Sequence, residues 1–149
     1  MKRLAAYKKE YGVTAETTLK DLKRTYRNFM KEWHPDKFAG NEEKLEEAEI
    51  KSKSLIEAYH FLVSMSPETL EANKEKYTET ITNGALNDFE WKKSIMKMSF
   101  VDGSEYEYFG VQEKTYIKLC NANNQYRFAK RHIFPSHKYR QVTKLTDDQ

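Results

Sequence analysis

The chain has few of the residues that build several common kinds of site. Its 149 residues include one cysteine, Cys120, so neither an internal disulfide nor a cysteine-rich zinc site can form. No apolar run reaches transmembrane length, and the basic start, MKRLAAYKKEYG, lacks the apolar stretch of a signal peptide. Glycine-rich phosphate loops, serine–histidine–aspartate sets and paired-carboxylate motifs do not emerge. We therefore expect a cytoplasmic protein that is not an enzyme and has no metal or cofactor.

The composition favours small, separate cores. A third of the residues are charged (33%) and the mean hydropathy is -0.92, which leaves little apolar material for one large core. Aromatic residues nevertheless make up 13%, well above a disordered composition. A change of pattern near residue 84 predicts a helical domain over 1–84 and a small α+β domain over 85–149. Cys120, beside Leu119, is expected to be a small core residue.

Helical periodicity dominates the first part. An apolar face recurs at steps of three and four from Leu19 to Trp33, and a second runs from Leu45 to Leu62 after the predicted N-cap Asn41. Two amphipathic helices joined by a short loop predict an antiparallel helical hairpin. A further helix is predicted from Pro67 to Ile81 and ends at Asn83-Gly84.

Beyond Gly84 the period changes to two. Alternating residues on both sides of Asp102-Gly103 predict a β-hairpin, and NDFEW, residues 87–91, predicts a third strand. The segment QEKTYIKLCNA, residues 112–122, predicts a short helix. The expected fold class is therefore α+β: a helical hairpin domain followed by a small antiparallel sheet with a helix.

The first helix of the hairpin has a face of one charge sign. At about 100° per residue, five basic side chains fall opposite the apolar face. We call this set the basic face: Lys20, Lys23, Arg24, Arg27 and Lys31. Most solvated faces mix signs, as the next helix does, whereas a single sign suits an acidic protein surface or a polyanion. The face leads directly into His34-Pro35-Asp36, where proline ends the helix and stiffens the loop.

These features resemble the J-domain of DnaJ-type co-chaperones. The resemblance covers about residues 4–65, through AYKKEYGV, TLKDLKRTYRNFMKEWHPDKF and EAEIKSKSLIEAYHFL. It implies that His34, Pro35 and Asp36, with Lys37 beside them, contact a DnaK-type chaperone ATPase. It also implies that the basic face docks on an acidic surface of that partner, whose ATP hydrolysis then accelerates. The domain would supply no catalytic group and would act as a regulatory ligand.

The resemblance has clear limits. The helix predicted from Pro67 lacks the family's usual basic-phenylalanine motif, and neither a Gly/Phe-rich region nor a cysteine repeat follows. Residues about 86–140 instead resemble the KTSC domain, a small module for which nucleic-acid binding has been suggested. The residues that carry this likeness are FVDGSEYEYFGV, YIKLCNA and RFAKRHIFPSHKYR. The second module is therefore expected to supply targeting, to RNA or to a client protein.

The second module also has a basic stretch of its own. From Lys114 to Lys144 there are eight basic residues and no acid. Basic and aromatic side chains together suit single-stranded nucleic acid. The candidates are Arg127, Lys130, Arg131, Lys138, Arg140, Tyr126 and Tyr139. The alternative is that the aromatic rings fill a small core and the charges keep it soluble. A rival function for the whole chain is RNA binding, with a hairpin that is only structural.

Overall fold

A computed structural model describes residues 2–142, whose contacts form two compact units that meet in the chain between Glu68 and Thr69. The chain forms helices α1 to α7 and strands β1 to β4. The helices are α1 Lys2–Tyr11, α2 Leu19–Trp33, α3 Glu42–Met65, α4 Pro67–Ala72, α5 Lys74–Asn83, α6 Glu113–Asn121 and α7 Gln125–His132, with a 3-10 turn at Pro35–Phe38. The strands are β1 Leu86–Lys92, β2 Ile95–Phe100, β3 Glu105–Phe109 and β4 Tyr139–Gln141.

Side-chain caps fix where the hairpin helices begin. At α2, the Thr18 hydroxyl accepts from the Asp21 N–H at 3.2 Å, and the Asp21 carboxylate accepts from the Thr18 N–H at 3.0 Å. That backbone bond is the main reason why the pKa of Asp21 lies below its ordinary value. At α3, the predicted N-cap is confirmed, because the Asn41 side chain accepts from the Lys44 N–H at 3.2 Å.

The core of the first unit lies between α2 and α3. Tyr26 of α2 stacks on Tyr59 of α3 with ring centroids 4.2 Å apart, and both are buried. The Tyr11 hydroxyl at the end of α1 donates to the Leu55 carbonyl at 2.7 Å. Leu22, Ala58 and Leu62 are buried in the same cluster. The predicted helical hairpin is therefore confirmed, with the basic face of α2 directed away from this core.

The second unit is a four-stranded antiparallel sheet in the order β1-β2-β3-β4. The predicted turn at Asp102-Gly103 joins β2 to β3, and Gly103 adopts φ 92, which a glycine tolerates. Both predicted segments beside it, the strand at 87–91 and the helix at 112–122, are present as β1 and α6. Helix α7 and strand β4 are not predicted by the sequence pattern. The α+β fold class is confirmed.

One face of this sheet is apolar and carries the core. Phe89 and Trp91 of β1 continue into buried residues of β2 and β3. Those buried residues are Met96, Met98, Phe100, Tyr106 and Tyr108, joined by Leu119, Ala129, Ile133 and Phe134 from α6 and from α7 with the turn after it. Cys120, by contrast, is exposed. The core position expected for it was wrong, because α6 directs its neighbour Leu119 inward instead.

Helix α5 belongs to the core of the sheet unit. Its Tyr77 is 7% exposed and stacks on Tyr139 with ring centroids 3.9 Å apart. The Tyr77 hydroxyl lies 3.0 Å from the Tyr108 hydroxyl. The predicted single helix from Pro67 is instead two helices that break at Asn73, and the sequence had grouped both with the first domain. The helix ends as expected at Gly84, where an added Cβ would lie 2.3 Å from the Thr80 carbonyl oxygen.

Candidate functional site

The loop after α2 is built by its own sequence. His34 ends the helix, and its N–H still donates to the Met30 carbonyl at 2.9 Å. Its backbone then turns to an extended conformation, φ -61 and ψ 131, which the following proline favours. Pro35 opens the 3-10 turn, where its missing N–H removes no hydrogen bond. The helix end and the start of the turn are thus fixed by one His-Pro pair.

The His34 ring is held by the residue two positions on. Its Nδ1 accepts from the Asp36 N–H at 3.2 Å and lies 3.5 Å from an Asp36 carboxylate oxygen. To accept the hydrogen bond from the Asp36 N–H, Nδ1 must carry no proton. The proton of the neutral ring is therefore on Nε2. Both side chains are exposed, His34 by 52% and Asp36 by 93%. The loop therefore presents one ring donor and one carboxylate to an incoming partner.

The basic face lies on the same helix that leads into this loop. All five of its cations are exposed, and together with Asn28 they line one shallow depression. Arg24 lies 3.9 Å from Asp21, a weak contact between exposed groups. Lys37 donates from Nζ to the carbonyl of Lys31, so the loop is tied back to the last turn of α2. The residues predicted for the first site therefore lie on two consecutive elements, α2 and the 3-10 turn, which the bond from Lys37 to Lys31 links.

The candidates for nucleic-acid binding are not equally available. Tyr139 stacks on Tyr77 in the core of the sheet unit, and the Tyr126 hydroxyl donates to the carbonyl of Ile81. Arg140 donates to the Glu107 carboxylate at 2.7 Å, with both side chains largely buried. These three candidates therefore have structural roles, which favours the core interpretation of the aromatic residues.

The remaining candidates are on the surface. Lys130 is exposed, but its Nζ donates to the Thr82 carbonyl at 3.0 Å and lies 4.4 Å from the centre of the Tyr126 ring. Arg127, Arg131 and Lys138 are exposed as well. Lys144, at the end of the acid-free stretch, lies outside the described residues. A surface for nucleic acid would rest on these cations without the two predicted stacking rings.

Two features of the surface could not be read from the sequence. The bond from Lys37 back to Lys31 depends on the exact direction of the 3-10 turn, for which spacing gives no signal. Beside β1, Tyr116 stacks on Trp91 at 5.6 Å and meets Phe89 edge-on at 6.3 Å. The alternation of NDFEW predicted the strand, but not which helix would cover it. Among residues 2–142, no helix is both long enough and apolar enough to cross a membrane.

Comparison with known proteins finds two family models that match separate parts of the chain. A family model described as the DnaJ domain matches residues 9–69, and one described as the KTSC domain matches residues 84–139. The chain is 30% identical over 118 residues to the chaperone protein DnaJ of Thermotoga petrophila, a match that covers 72% of this chain and 31% of the relative.

Shorter matches involve animal proteins. The chain is 42% identical over 59 residues to the human DnaJ homolog subfamily B member 8, covering 40% of this chain and 24% of that protein. It is 43% identical over 56 residues to the Bos taurus DnaJ homolog subfamily B member 6, covering 38% of this chain and 22% of that protein. The chain therefore spans less than a third of the length of these curated relatives.

Proposed function

Because the chain is a J-domain protein, with a DnaJ domain at 9–69 and a KTSC domain at 84–139, we propose that it is a co-chaperone that binds a DnaK-type chaperone and stimulates its ATP hydrolysis. The observation that carries the proposal is the exposed His34-Pro35-Asp36 loop at the end of the basic face. A hairpin that served only to pack would need neither the braced ring nor five exposed cations of one sign.

The contact would work by complementary charge and by shape. The basic face draws an acidic surface of the chaperone towards α2, and association between oppositely charged surfaces is accelerated. Once docked, the stiff loop places the His34 ring and the Asp36 carboxylate against the partner. The J-domain supplies no reacting group, so acceleration of ATP hydrolysis means that it binds the active conformation of the chaperone better than the resting one.

The KTSC domain would supply targeting. Its fold holds most of its aromatic residues in the core, so its role is proposed as the binding of a client or another polypeptide. The rival proposal, an RNA-binding protein with a structural hairpin, has support from four exposed cations, Arg127, Lys130, Arg131 and Lys138.

The deciding experiment is the steady-state ATPase rate of a DnaK-type chaperone with and without the full chain. We expect the chain to raise the rate and His34→Gln to abolish the increase, because the imidazole ring held by the Asp36 N–H is lost while the helix and core are untouched. The matched control is His132→Gln, an exposed histidine at the end of α7, which should stimulate like the wild type. Equal stimulation by His34→Gln and wild type, with unchanged circular dichroism, would contradict the proposed contact.

A further inference from the structure

The sheet unit has a long strand at one edge. β1 runs from Leu86 to Lys92 and, among the described residues, pairs only with β2. The two are joined by a two-residue turn at Lys93 and Ser94, so Lys92 and Ile95 form the hydrogen-bonded pair that closes the hairpin. Hydrogen-bonded and non-hydrogen-bonded residue pairs alternate along antiparallel strands. The backbone N–H and C=O groups of Trp91 and Phe89 therefore point away from β2.

Part of this edge is already occupied by the chain itself. The Phe89 N–H donates to the carboxylate of its neighbour Asp88 at 2.8 Å, and the register shifts between Leu86 and Asp88. What is left is the Trp91 N–H with the carbonyls of Phe89 and Trp91. One donor flanked by acceptors at strand spacing is complementary to the backbone of another extended chain.

The inner side of this edge is apolar and rigid. Phe89 and Trp91 are half-buried and pack against Tyr116 of α6. The Trp91 indole N–H donates to the Val111 carbonyl at 2.8 Å, which fixes the ring. The next residue of α6, Ile117, is 50% exposed, one of only three large apolar side chains so exposed in the described part of the chain. An added strand would place every second side chain beside these rings.

The outer side of the same strand carries two acids, Asp88 and Glu90, followed by Lys92 at the end next to the turn. Asp88 and Glu90 alternate with the aromatic residues and are exposed, Glu90 by 75%. Lys97 on β2 lies 3.8 Å from Glu90 but is shared with Glu105 at 3.7 Å, so it compensates only part of this charge. Residues of an added strand that face this side would be neighbours of both carboxylates. Opposite charges in that position stabilise a strand pair.

We propose that β1 binds an extended segment of a partner polypeptide in which apolar and basic residues alternate, and that the segment joins the sheet as a fifth strand. The apolar residues contact Phe89, Trp91 and Tyr116, and the basic residues pair with Asp88 and Glu90. The occupant follows from the edge itself, because unpaired strand backbone is complementary to the backbone of another extended chain, and Asp88 and Glu90 on the outer side favour basic residues. This site is independent of the His34 loop and of the proposed ATPase stimulation.

The test uses the full chain and a labelled peptide, Lys-Val-Arg-Ile-Lys-Val-Arg-Ile-Lys. Fluorescence anisotropy should show binding in the micromolar range, and hydrogen exchange of the Trp91 amide should slow on binding. Glu90→Lys should weaken binding about fivefold or more, since an attractive cross-strand pair becomes repulsive. It should also improve binding of the matching peptide in which glutamate replaces every basic residue. Glu79→Lys, an exposed acid of α5, is the matched control and should bind like wild type.

Two further probes separate strand addition from other forms of attraction. A peptide of the same composition with its basic and apolar residues in separate blocks, and one N-methylated at alternate residues, should both bind much more weakly. Equal binding of these peptides would overturn the proposal, as would an unprotected Trp91 amide. Binding of single-stranded RNA but not of the peptide, or dimerisation of the chain through β1 in sedimentation, would also overturn it and assign the edge or the module to that partner.

Discussion

The hydroxyl groups of Tyr77 and Tyr108 lie 3.0 Å apart, which ties helix α5 to strand β3 inside the core of the sheet unit. Tyr108 is fully buried and Tyr77 nearly so. Each hydroxyl therefore depends on the other for a partner that water would otherwise supply. Burial also raises the pKa of both phenols above their ordinary value. The pair makes α5 a required part of the sheet unit.

The pair predicts a non-additive double variant. Tyr77→Phe alone should lower the free energy of unfolding by about 1–3 kcal/mol, because it leaves the buried Tyr108 hydroxyl without a partner. Tyr77→Phe with Tyr108→Phe should cost less than the sum of the two single changes, since no buried hydroxyl is then unsatisfied. Urea denaturation of the four proteins measures the difference. Strictly additive values would show that the two hydroxyls do not interact.

We expect that reversing charges of the basic face slows association with a DnaK-type chaperone. Lys23→Glu with Arg27→Glu should slow association with a DnaK-type chaperone more than it speeds dissociation. Added salt should weaken wild-type binding, because exposed charges are screened beyond about 10 Å at 0.1 M. Surface plasmon resonance at several salt concentrations gives both rates. The control variant reverses the charge of two exposed lysines of α6, Lys114→Glu with Lys118→Glu, and should associate as fast as the wild type. Wild-type binding that does not respond to salt would contradict a docking role for the basic face.

The turn between β1 and β2 predicts a simple route to higher stability. Lys93 and Ser94 adopt φ 49 and φ 67, a left-handed conformation that suits asparagine and glycine better. Lys93→Asn with Ser94→Gly should therefore raise the free energy of unfolding by about 1 kcal/mol. Thermal melts should show a matching rise in Tm. Valine at both positions is the opposite control and should destabilise the hairpin; stabilisation by valine would mean that the backbone strain is absent.

The buried tyrosines predict unfolding at alkaline pH. Burial, with a smaller effect of the Asp102 charge, raises the pKa of Tyr106 to about 12, above the ordinary value of 10.0. A raised pKa in the folded state means that this stability is fully present below about pH 10 and is lost as the pH rises towards 12. Circular dichroism and tyrosinate absorbance, followed together in an alkaline titration, should change in one cooperative step. Ionisation of all tyrosines near pH 10 in a native fold would contradict the burial.

Sequence patterns predict the parts of this chain that are local. The periodicity of α2 and α3, the cap at Asn41 and the turn at Asp102-Gly103 each depend on residues that are close along the chain. The His-Pro-Asp loop could be found because proline imposes the end of the helix. Even the basic face follows from the helical repeat alone.

What the sequence does not predict depends on distant or unusual contacts. The turn at Lys93-Ser94 lacks the asparagine or glycine that signals its type. The role of α5 is set by Tyr77 meeting Tyr108, 31 positions along the chain, and no local pattern tells which core will bury a tyrosine. Arg140 was expected on a binding surface, but its ion pair with Glu107 depends on the pairing of β4 with β3.

The dependence of the sheet on α5 also determines what can be transplanted. The match to the KTSC domain begins at residue 84, after this helix has ended. A fusion protein that began at residue 84 would lack Tyr77 and the Thr80 hydroxyl that donates to Asp102. It would also lack the Ile81 and Thr82 carbonyls that accept hydrogen bonds from Tyr126 and Lys130. For protein engineers who wish to fuse this module to another chain, the portable unit therefore begins near Thr69.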